Sequence, residues 1–140
     1  MLLEVDNLTT SYISAGGRRV SKAVDRVSFG LEAGQTLGIV GESGSGKTTL
    51  ALSLVRLLPP AGRITSGSIR LAGQDLMSLS LPDMRRIRGK QIAMILQDPM
   101  SSLNPVFSIG MQVGEAIAIH HRVRGRALAE RAERLLEAVG

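Results

Sequence analysis

The octapeptide at residues 41–48 constrains the fold of this chain more than any other segment. It reads Gly-Glu-Ser-Gly-Ser-Gly-Lys-Thr and matches the phosphate-binding pattern G-x-x-x-x-G-K-[ST]. Its glycines lack a Cβ, so the backbone can curl tightly and turn successive N–H groups toward a polyphosphate. Lys47 supplies positive charge for the β- and γ-phosphates, and the Thr48 hydroxyl can ligate Mg²⁺. The segment therefore predicts a nucleotide-binding loop at the start of a helix, whose dipole favours anions.

The residues on either side of this loop fit the strand and helix that the motif requires. Residues 36–40 form a continuous apolar run, which is typical of a buried parallel strand. Residues 49–58 are mostly apolar and are followed by Pro59 and Pro60, which favours a helix that ends there. The alternative interpretation, an ordinary glycine-rich loop, requires neither flank.

The composition excludes several other classes of protein. With 140 residues, the chain is one domain or part of one. It contains no cysteine, which excludes disulfides, thiolate zinc sites and a cysteine nucleophile. The segment after Met1 has no signal-peptide pattern, and no run approaches the ~20 apolar residues that cross a bilayer.

The net charge of +5 raises nucleic-acid binding as an alternative function. The basic residues are scattered along the chain, however, and one tyrosine and two phenylalanines cannot form a base-stacking platform. We therefore expect no nucleic-acid partner.

Hydrophobic periodicity predicts the remaining elements. Strands are expected at 2–6, 8–13, 22–31, 66–73 and 91–96, the last of them buried on both faces. Helices are expected at 81–87 (with Ser80 as N-cap), 109–120 and 126–139. The predicted fold class is α/β, with an antiparallel β-subdomain at about 1–35, a phosphate-loop core at 36–96 and the start of a helical subdomain at 97–140.

Residues 95–105, Ile-Leu-Gln-Asp-Pro-Met-Ser-Ser-Leu-Asn-Pro, resemble the Q-loop of ATP-binding cassette (ABC) ATPases. The form resembles the ATPase subunits of di- and oligopeptide (and nickel) importers. The phosphate loop extended to Thr49, residues 22–29 and Gly-Gln-Asp-Leu at 73–76 fit the same group. The resemblance covers the whole chain and implies a P-loop NTPase core of the ABC type.

Gln97 is the residue on which this resemblance rests most directly. Its amide offers a carbonyl oxygen to Mg²⁺ and an NH₂ group to the attacking water or the γ-phosphate. The resemblance implies that role, beside Lys47 as the other catalytic residue and Thr48 as the other metal ligand. The alternative is a polar residue that ends a strand. Leu96 departs from the pattern, which more often has phenylalanine there.

The resemblance also implies a set of ATP contacts upstream of Gln97. Tyr12 lies where the family places an aromatic ring that stacks on adenine, although a tyrosine packed at a sheet edge is an alternative. Glu42 is a variable position of the loop and is expected to point outward. The implied nucleotide-binding residues are Tyr12, Gly41, Glu42, Ser43, Gly44, Ser45, Gly46, Lys47, Thr48 and Thr49.

Three motifs of the resembling family are absent from residues 50–140. No run of four apolar residues precedes Asp-Glu, no Leu-Ser-Gly-Gly signature occurs, and no late switch histidine follows. The resemblance therefore implies an N-terminal piece, somewhat more than half of a cassette. Alone, it is expected to lack hydrolysis, because the water-activating carboxylate is missing, and to be poorly stable.

For the complete protein, the resemblance implies an ATP- and Mg²⁺-dependent importer ATPase. Expected partners are a second ATPase subunit in a dimer, transmembrane permease subunits contacted through residues 97–107, and indirectly a solute-binding protein. The expected location is peripheral, at the cytoplasmic face of the bacterial inner membrane. Three alternatives stay open: a soluble ABC-type ATPase acting on nucleic acid, an unrelated P-loop kinase or GTPase, and a nucleotide-binding module without transport. The transported solute does not follow from the sequence.

Overall fold

A computed structural model describes residues 1–97 and 102–140 of the chain. These residues form two compact units, Met1–Met84 and Arg85–Gly140. The sequence-predicted subdomain boundaries near residues 35 and 96 stay predictions.

The first unit is built on a four-stranded antiparallel sheet with the order β2-β1-β3-β4. The strands are β1 (Leu3–Ile13), β2 (Val20–Leu31), β3 (Gly62–Leu71) and β4 (Gln74–Asp75). Strand β1 pairs with β2 on one side and β3 on the other. Its apolar side chains join those of the neighbouring strands in an aliphatic core that includes Leu3, Val5, Leu8, Val24, Ile69, Leu71 and Leu76.

Strand β1 replaces the two shorter strands that the sequence predicts at 2–6 and 8–13. The register shifts where those predictions meet, between Asp6 and Thr9 against β3. At this point Asn7 has φ 46° and Gly67 of β3 has φ 91°. A Cβ on Gly67 would lie 2.5 Å from the Leu8 Cα, so the two backbones approach too closely for a side chain. A bulge therefore interrupts the alternation without ending the strand.

Helix α1 spans Lys47–Leu54, and so ends four residues before the predicted end at Leu58. The reason is Arg56, which adopts a left-handed φ of 52°. Its guanidinium donates hydrogen bonds to the carbonyls of Leu76 and Leu79, both at 2.8 Å. These contacts hold the chain out of the helix before the two prolines are reached.

The two predicted buried parallel strands are not formed. Residues 36–40 have no strand pairing, and their side chains are exposed, Val40 by 94%. In residues 91–96 the only pairing is an isolated bridge between Arg88 and Ile92, and Ile95 is 92% exposed. A strand requires neighbours for its backbone N–H and C=O groups, and no strand of the described residues flanks either segment. Both predictions are therefore wrong for this chain.

Helical structure dominates the C-terminal part of the chain. Helix α2 (Leu81–Ile87) has its predicted bounds, and Ser80 accepts a hydrogen bond from the Asp83 N–H at 3.3 Å, as an N-cap does. In the second unit, α3 (Ile109–His121) packs against α4 (Arg126–Glu137). Gly114 of α3 lies against the Leu128 side chain. None of the helices in the described ranges is both long and apolar enough to cross a membrane.

Candidate nucleotide-binding site

The phosphate loop joins the exposed segment 36–40 to helix α1, and two of its glycines have left-handed backbone conformations. Gly44 has φ 80° and Gly46 has φ 94°. Gly46 is also the N-cap of α1. A Cβ at Gly46 would lie 2.1 Å from the carbonyl oxygen of Ala23, so only glycine fits there. The sequence predicts the need for glycine, and the structure adds that β2 presses against the loop.

Lys47 is held by the loop itself. Its Nζ donates hydrogen bonds to the carbonyls of Gly41 at 2.8 Å and Glu42 at 2.7 Å, and to the Ser45 hydroxyl at 3.2 Å. The side chain therefore folds back and places the ammonium within the curve of the loop. The three loop oxygens match the three N–H donors of the ammonium, so a phosphate would bind Lys47 by replacing some of these contacts.

Tyr12 lies beside the loop, although the sequence separates them by about thirty residues. Its hydroxyl is 3.2 Å from the Thr49 hydroxyl of α1. A cavity of about 240 Å³ opens between strand and loop, lined by Tyr12, Ala23, Gly44, Ser45, Gly46, Lys47, Thr48 and Thr49. The structure therefore brings Tyr12 together with five of the predicted loop positions and with Thr49, while its stacking on adenine stays a prediction.

The neighbouring threonines of α1 differ in their surroundings. Thr48 is exposed, and its role as a metal ligand stays a prediction. Thr49 is only 9% exposed, and its hydroxyl faces Tyr12. Glu42 and Ser43 are exposed at the tip of the loop, and the outward position predicted for Glu42 agrees with this.

Gln97 belongs to the second unit and is exposed on an irregular segment. The rest of the predicted Q-loop begins with residues 98–101, which lie outside the described residues. The metal-binding role of Gln97 stays a prediction. Within the described part of the chain, no group of three or more His, Cys, Asp or Glu side chains could hold a metal ion. A magnesium site here would rely on hydroxyl, amide, water and phosphate oxygens, which are ligands that Mg²⁺ accepts.

Sequence reasoning missed the buried hydroxyl contacts that hold α1 against β1. The Thr10 and Ser53 hydroxyls are 2.9 Å apart, and Ser53 donates to the Thr49 carbonyl at 2.6 Å. The sequence spacing of the hydroxyl residues was a signal for these contacts. Thr10 and Tyr12 are two apart on a strand, while Thr49 and Ser53 are four apart on a helix, so each pair shares one face.

Comparison with curated proteins reveals close relatives over nearly the whole chain. A putative peptide import ATP-binding protein of Brucella abortus (strain 2308) is 47% identical over 138 residues, which is 99% of this chain and 41% of that protein. The oligopeptide transport ATP-binding protein OppD of Bacillus subtilis (strain 168) is 44% identical over 140 residues, covering 99% of this chain and 38% of its own length. The chain thus spans about two fifths of the length of these relatives.

Solved structures share the fold. The dimeric structure of a post-hydrolysis state of the ATP-binding cassette MJ0796, bound to ADP and Pi, superposes with a TM-score of 0.77 at 20% sequence identity. The match covers 96% of this chain and 56% of that one. It confirms the predicted fold class, a partial P-loop domain of the ABC type. The family model described as "ABC transporter" matches residues 24–140, from β2 through the phosphate loop to the last residue. The chain therefore belongs to the ABC transporter family.

Proposed function

We propose that this chain supplies the ATP-binding half-site of an ABC importer subunit, which couples ATP binding and hydrolysis to the import of peptides or a related solute. The observation that supports the nucleotide-binding part is the cavity of about 240 Å³ that the phosphate-loop residues Gly44, Ser45, Gly46, Lys47 and Thr48 line together with Tyr12. The peptide-import part is supported by relatives named as peptide import and oligopeptide transport ATP-binding proteins, at 47% and 44% identity.

The described residues divide the work of binding MgATP. The loop N–H groups and the Lys47 ammonium bind the phosphates, and the N-terminus of α1 contributes the positive end of its dipole. Thr48, through its hydroxyl, and Gln97, from the resemblance of its loop, are each proposed as a ligand of Mg²⁺, which would neutralise phosphate charge when bound. The Tyr12 ring stacks on the adenine. Three parts of a hydrolytic site do not occur in residues 50–140, namely Asp-Glu after four apolar residues, the Leu-Ser-Gly-Gly signature and the switch histidine.

Coupling to transport requires partners. We propose a dimer of ATPase subunits, by analogy with the dimeric cassette MJ0796, and permease subunits that contact residues 97–107. A solute-binding protein delivers the solute to the permease rather than to this subunit. The location is peripheral, at the cytoplasmic face of the membrane that holds the permease. No nucleic-acid partner is proposed.

The first test is MgATP binding by the intact protein with Lys47→Ala. Loss of a charge-assisted contact to phosphate is worth about 1.5–3 kcal/mol, so we expect affinity to fall at least roughly tenfold to a hundredfold. Lys90→Ala is the matched control, since it removes the same charge from the second unit, and should bind like the wild type. Isothermal titration calorimetry measures both. Equal affinities for the two variants would contradict the assignment of the phosphate loop.

The second test separates transport from nucleotide binding alone. In cells that depend on this protein for peptide uptake, Lys47→Ala should abolish uptake of a labelled dipeptide or oligopeptide, whereas Lys90→Ala should not. If the protein binds MgATP but uptake is unaffected by Lys47→Ala, the importer assignment fails. The nucleotide-binding module without transport is then the better description.

A further inference from the structure

The side chain of Gln112 on helix α3 is bonded to the backbone of the turn that precedes the helix. Its Oε1 accepts a hydrogen bond from the Asn104 N–H at 2.8 Å. Its Nε2 donates to the carbonyls of Asn104 at 2.9 Å and Phe107 at 3.0 Å. Only one orientation of the amide, with its NH₂ group toward the two carbonyls, satisfies all three contacts. A single side chain therefore ties both ends of the turn to the helix.

The Asn104 side chain holds the same turn from within. Its Oδ1 accepts a hydrogen bond from the Val106 N–H at 3.0 Å, as in an Asx turn, and its carbonyl accepts from the Phe107 N–H at 3.2 Å. Ser108 follows directly as the N-cap of α3. The turn 104–107 therefore has a defined backbone conformation, because side-chain amides bond its polar groups on the inner side.

The outer side of this turn is apolar. Val106 is 82% exposed and Phe107 is 49% exposed. Phe107 also lines a cavity of about 740 Å³, together with Met111 of α3 and with Leu128 and Ala129 of α4. Exposed apolar side chains beside an apolar cavity are typical of a surface that binds another protein. A partner with apolar side chains fits this surface, and the permease subunit is the partner proposed for residues 97–107.

We propose that Gln112 is a positioning residue that holds the turn 104–107 so that Val106 and Phe107 meet a permease subunit. The inference rests on the proposed function, which assigns the permease contact to residues 97–107, while Gln112 lies outside that range. A turn that is already ordered loses less conformational entropy when a partner binds, so association is tighter. Because Gln112 acts on the turn and is not among the nucleotide-binding residues, its loss should weaken permease binding and spare MgATP binding.

Sedimentation of the intact protein with inverted membrane vesicles tests this role. One set of vesicles comes from the cells of the uptake assay, and the other comes from the same cells without the permease genes. The difference between the two sets gives the permease-dependent affinity. Gln112→Met keeps the length of the side chain and removes all three hydrogen bonds, so it should weaken this affinity roughly tenfold.

Two more single variants check the chemistry of the contact. Gln112→Glu keeps the shape and the acceptor but loses both donors to the turn, and should weaken permease-dependent binding by roughly threefold or more. Gln35→Met is the matched control, because the Gln35 amide also accepts a backbone hydrogen bond, from the Glu32 N–H at 2.9 Å, but lies in the first unit. It should bind both sets of vesicles like the wild type.

MgATP binding and a double-mutant cycle separate positioning from a general loss of structure. Calorimetric titrations should give every Gln112 variant an MgATP affinity within about twofold of the wild type. Val106→Ala/Phe107→Ala removes the side chains that the turn presents and should itself weaken vesicle binding roughly tenfold. In that background Gln112→Met should weaken binding no further, because its effect depends on those two side chains.

The outcomes distinguish this inference from the proposed function. Undiminished permease-dependent binding by Gln112→Met would overturn the positioning role. Additive losses in the combined variant, or a loss of MgATP affinity with Gln112→Met, would overturn it as well. A wild-type protein that binds MgATP but does not distinguish the two sets of vesicles instead overturns the proposed permease contact, and the role of Gln112 with it. A wild-type protein that does not bind MgATP overturns the nucleotide-binding part of the proposed function.

Discussion

At the scale of single residues, two glycines of the phosphate loop both adopt a left-handed conformation, but only one of them has other atoms close to where a Cβ would lie. Gly44 has φ 80°, and no atom lies within 4 Å of the position that a Cβ would take, so only strain opposes a side chain there. Gly46 has φ 94°, and the Ala23 carbonyl oxygen and carbon lie 2.1 Å and 3.2 Å from the corresponding position. The phosphate-loop pattern requires glycine at position 46, whereas Gly44 falls at one of its variable positions. It does not reveal that β2 touches one of them, because that contact is tertiary.

Alanine substitutions at Gly44 and Gly46 together test how the phosphate loop packs. Gly44→Ala should reduce the free energy of unfolding by about 1–2 kcal/mol, the usual cost of a left-handed conformation in alanine. Gly46→Ala should cost about 3 kcal/mol or more, since a backbone carbonyl cannot move aside as a flexible side chain can. Urea unfolding of the nucleotide-free intact protein measures both. Equal losses would contradict the close approach of Ala23 to Gly46.

At the scale of elements, periodicity predicts those that carry their own pattern of burial or their own cap. Helix α2 has its predicted bounds because Ser80 caps it, and α3 follows its predicted span because Ser108 accepts the Met111 N–H at 3.3 Å. The apolar runs 36–40 and 91–96 fail as strands because a buried strand depends on neighbours rather than on its own residues. Of the candidate site, the loop follows from local pattern, whereas the Tyr12–Thr49 contact follows from packing.

The buried pair between β1 and α1 gives a test at the same scale. Ser53 donates its proton to the Thr49 carbonyl, so Thr10 is the donor in the 2.9 Å contact with Ser53. Ser53→Ala therefore leaves the buried Thr10 hydroxyl without its acceptor and should lower the free energy of unfolding by about 1–3 kcal/mol. In a Thr10→Val background no hydroxyl loses an acceptor, and Ser53→Ala should cost roughly 1 kcal/mol less. Chemical denaturation of the four proteins completes the cycle, and an equal cost in both backgrounds would contradict this hydrogen-bond direction.

At the scale of the whole molecule, two apolar segments are exposed, and the chain is much shorter than its relatives. Val40 and Ile95 are 94% and 92% exposed within runs that read as buried strands. The chain spans 41% of the Brucella relative and 38% of the Bacillus one. A crossover of a dozen or more residues connects one parallel strand to the next. The strands that would pair with residues 36–40 can therefore come from distant sequence in a longer chain.

We therefore expect residues 36–40 to become a paired strand in a protein of the relatives' length. Its amide hydrogens should then exchange roughly a thousandfold more slowly than in residues 1–140 alone, which corresponds to an opening free energy of about 4 kcal/mol. Strand β1 is the internal control, because β2 and β3 already pair with it on both sides and its amides should be protected in both proteins. Hydrogen exchange followed by mass spectrometry compares the two lengths. Fast exchange at 36–40 in the longer protein would show that this apolar run is not a strand.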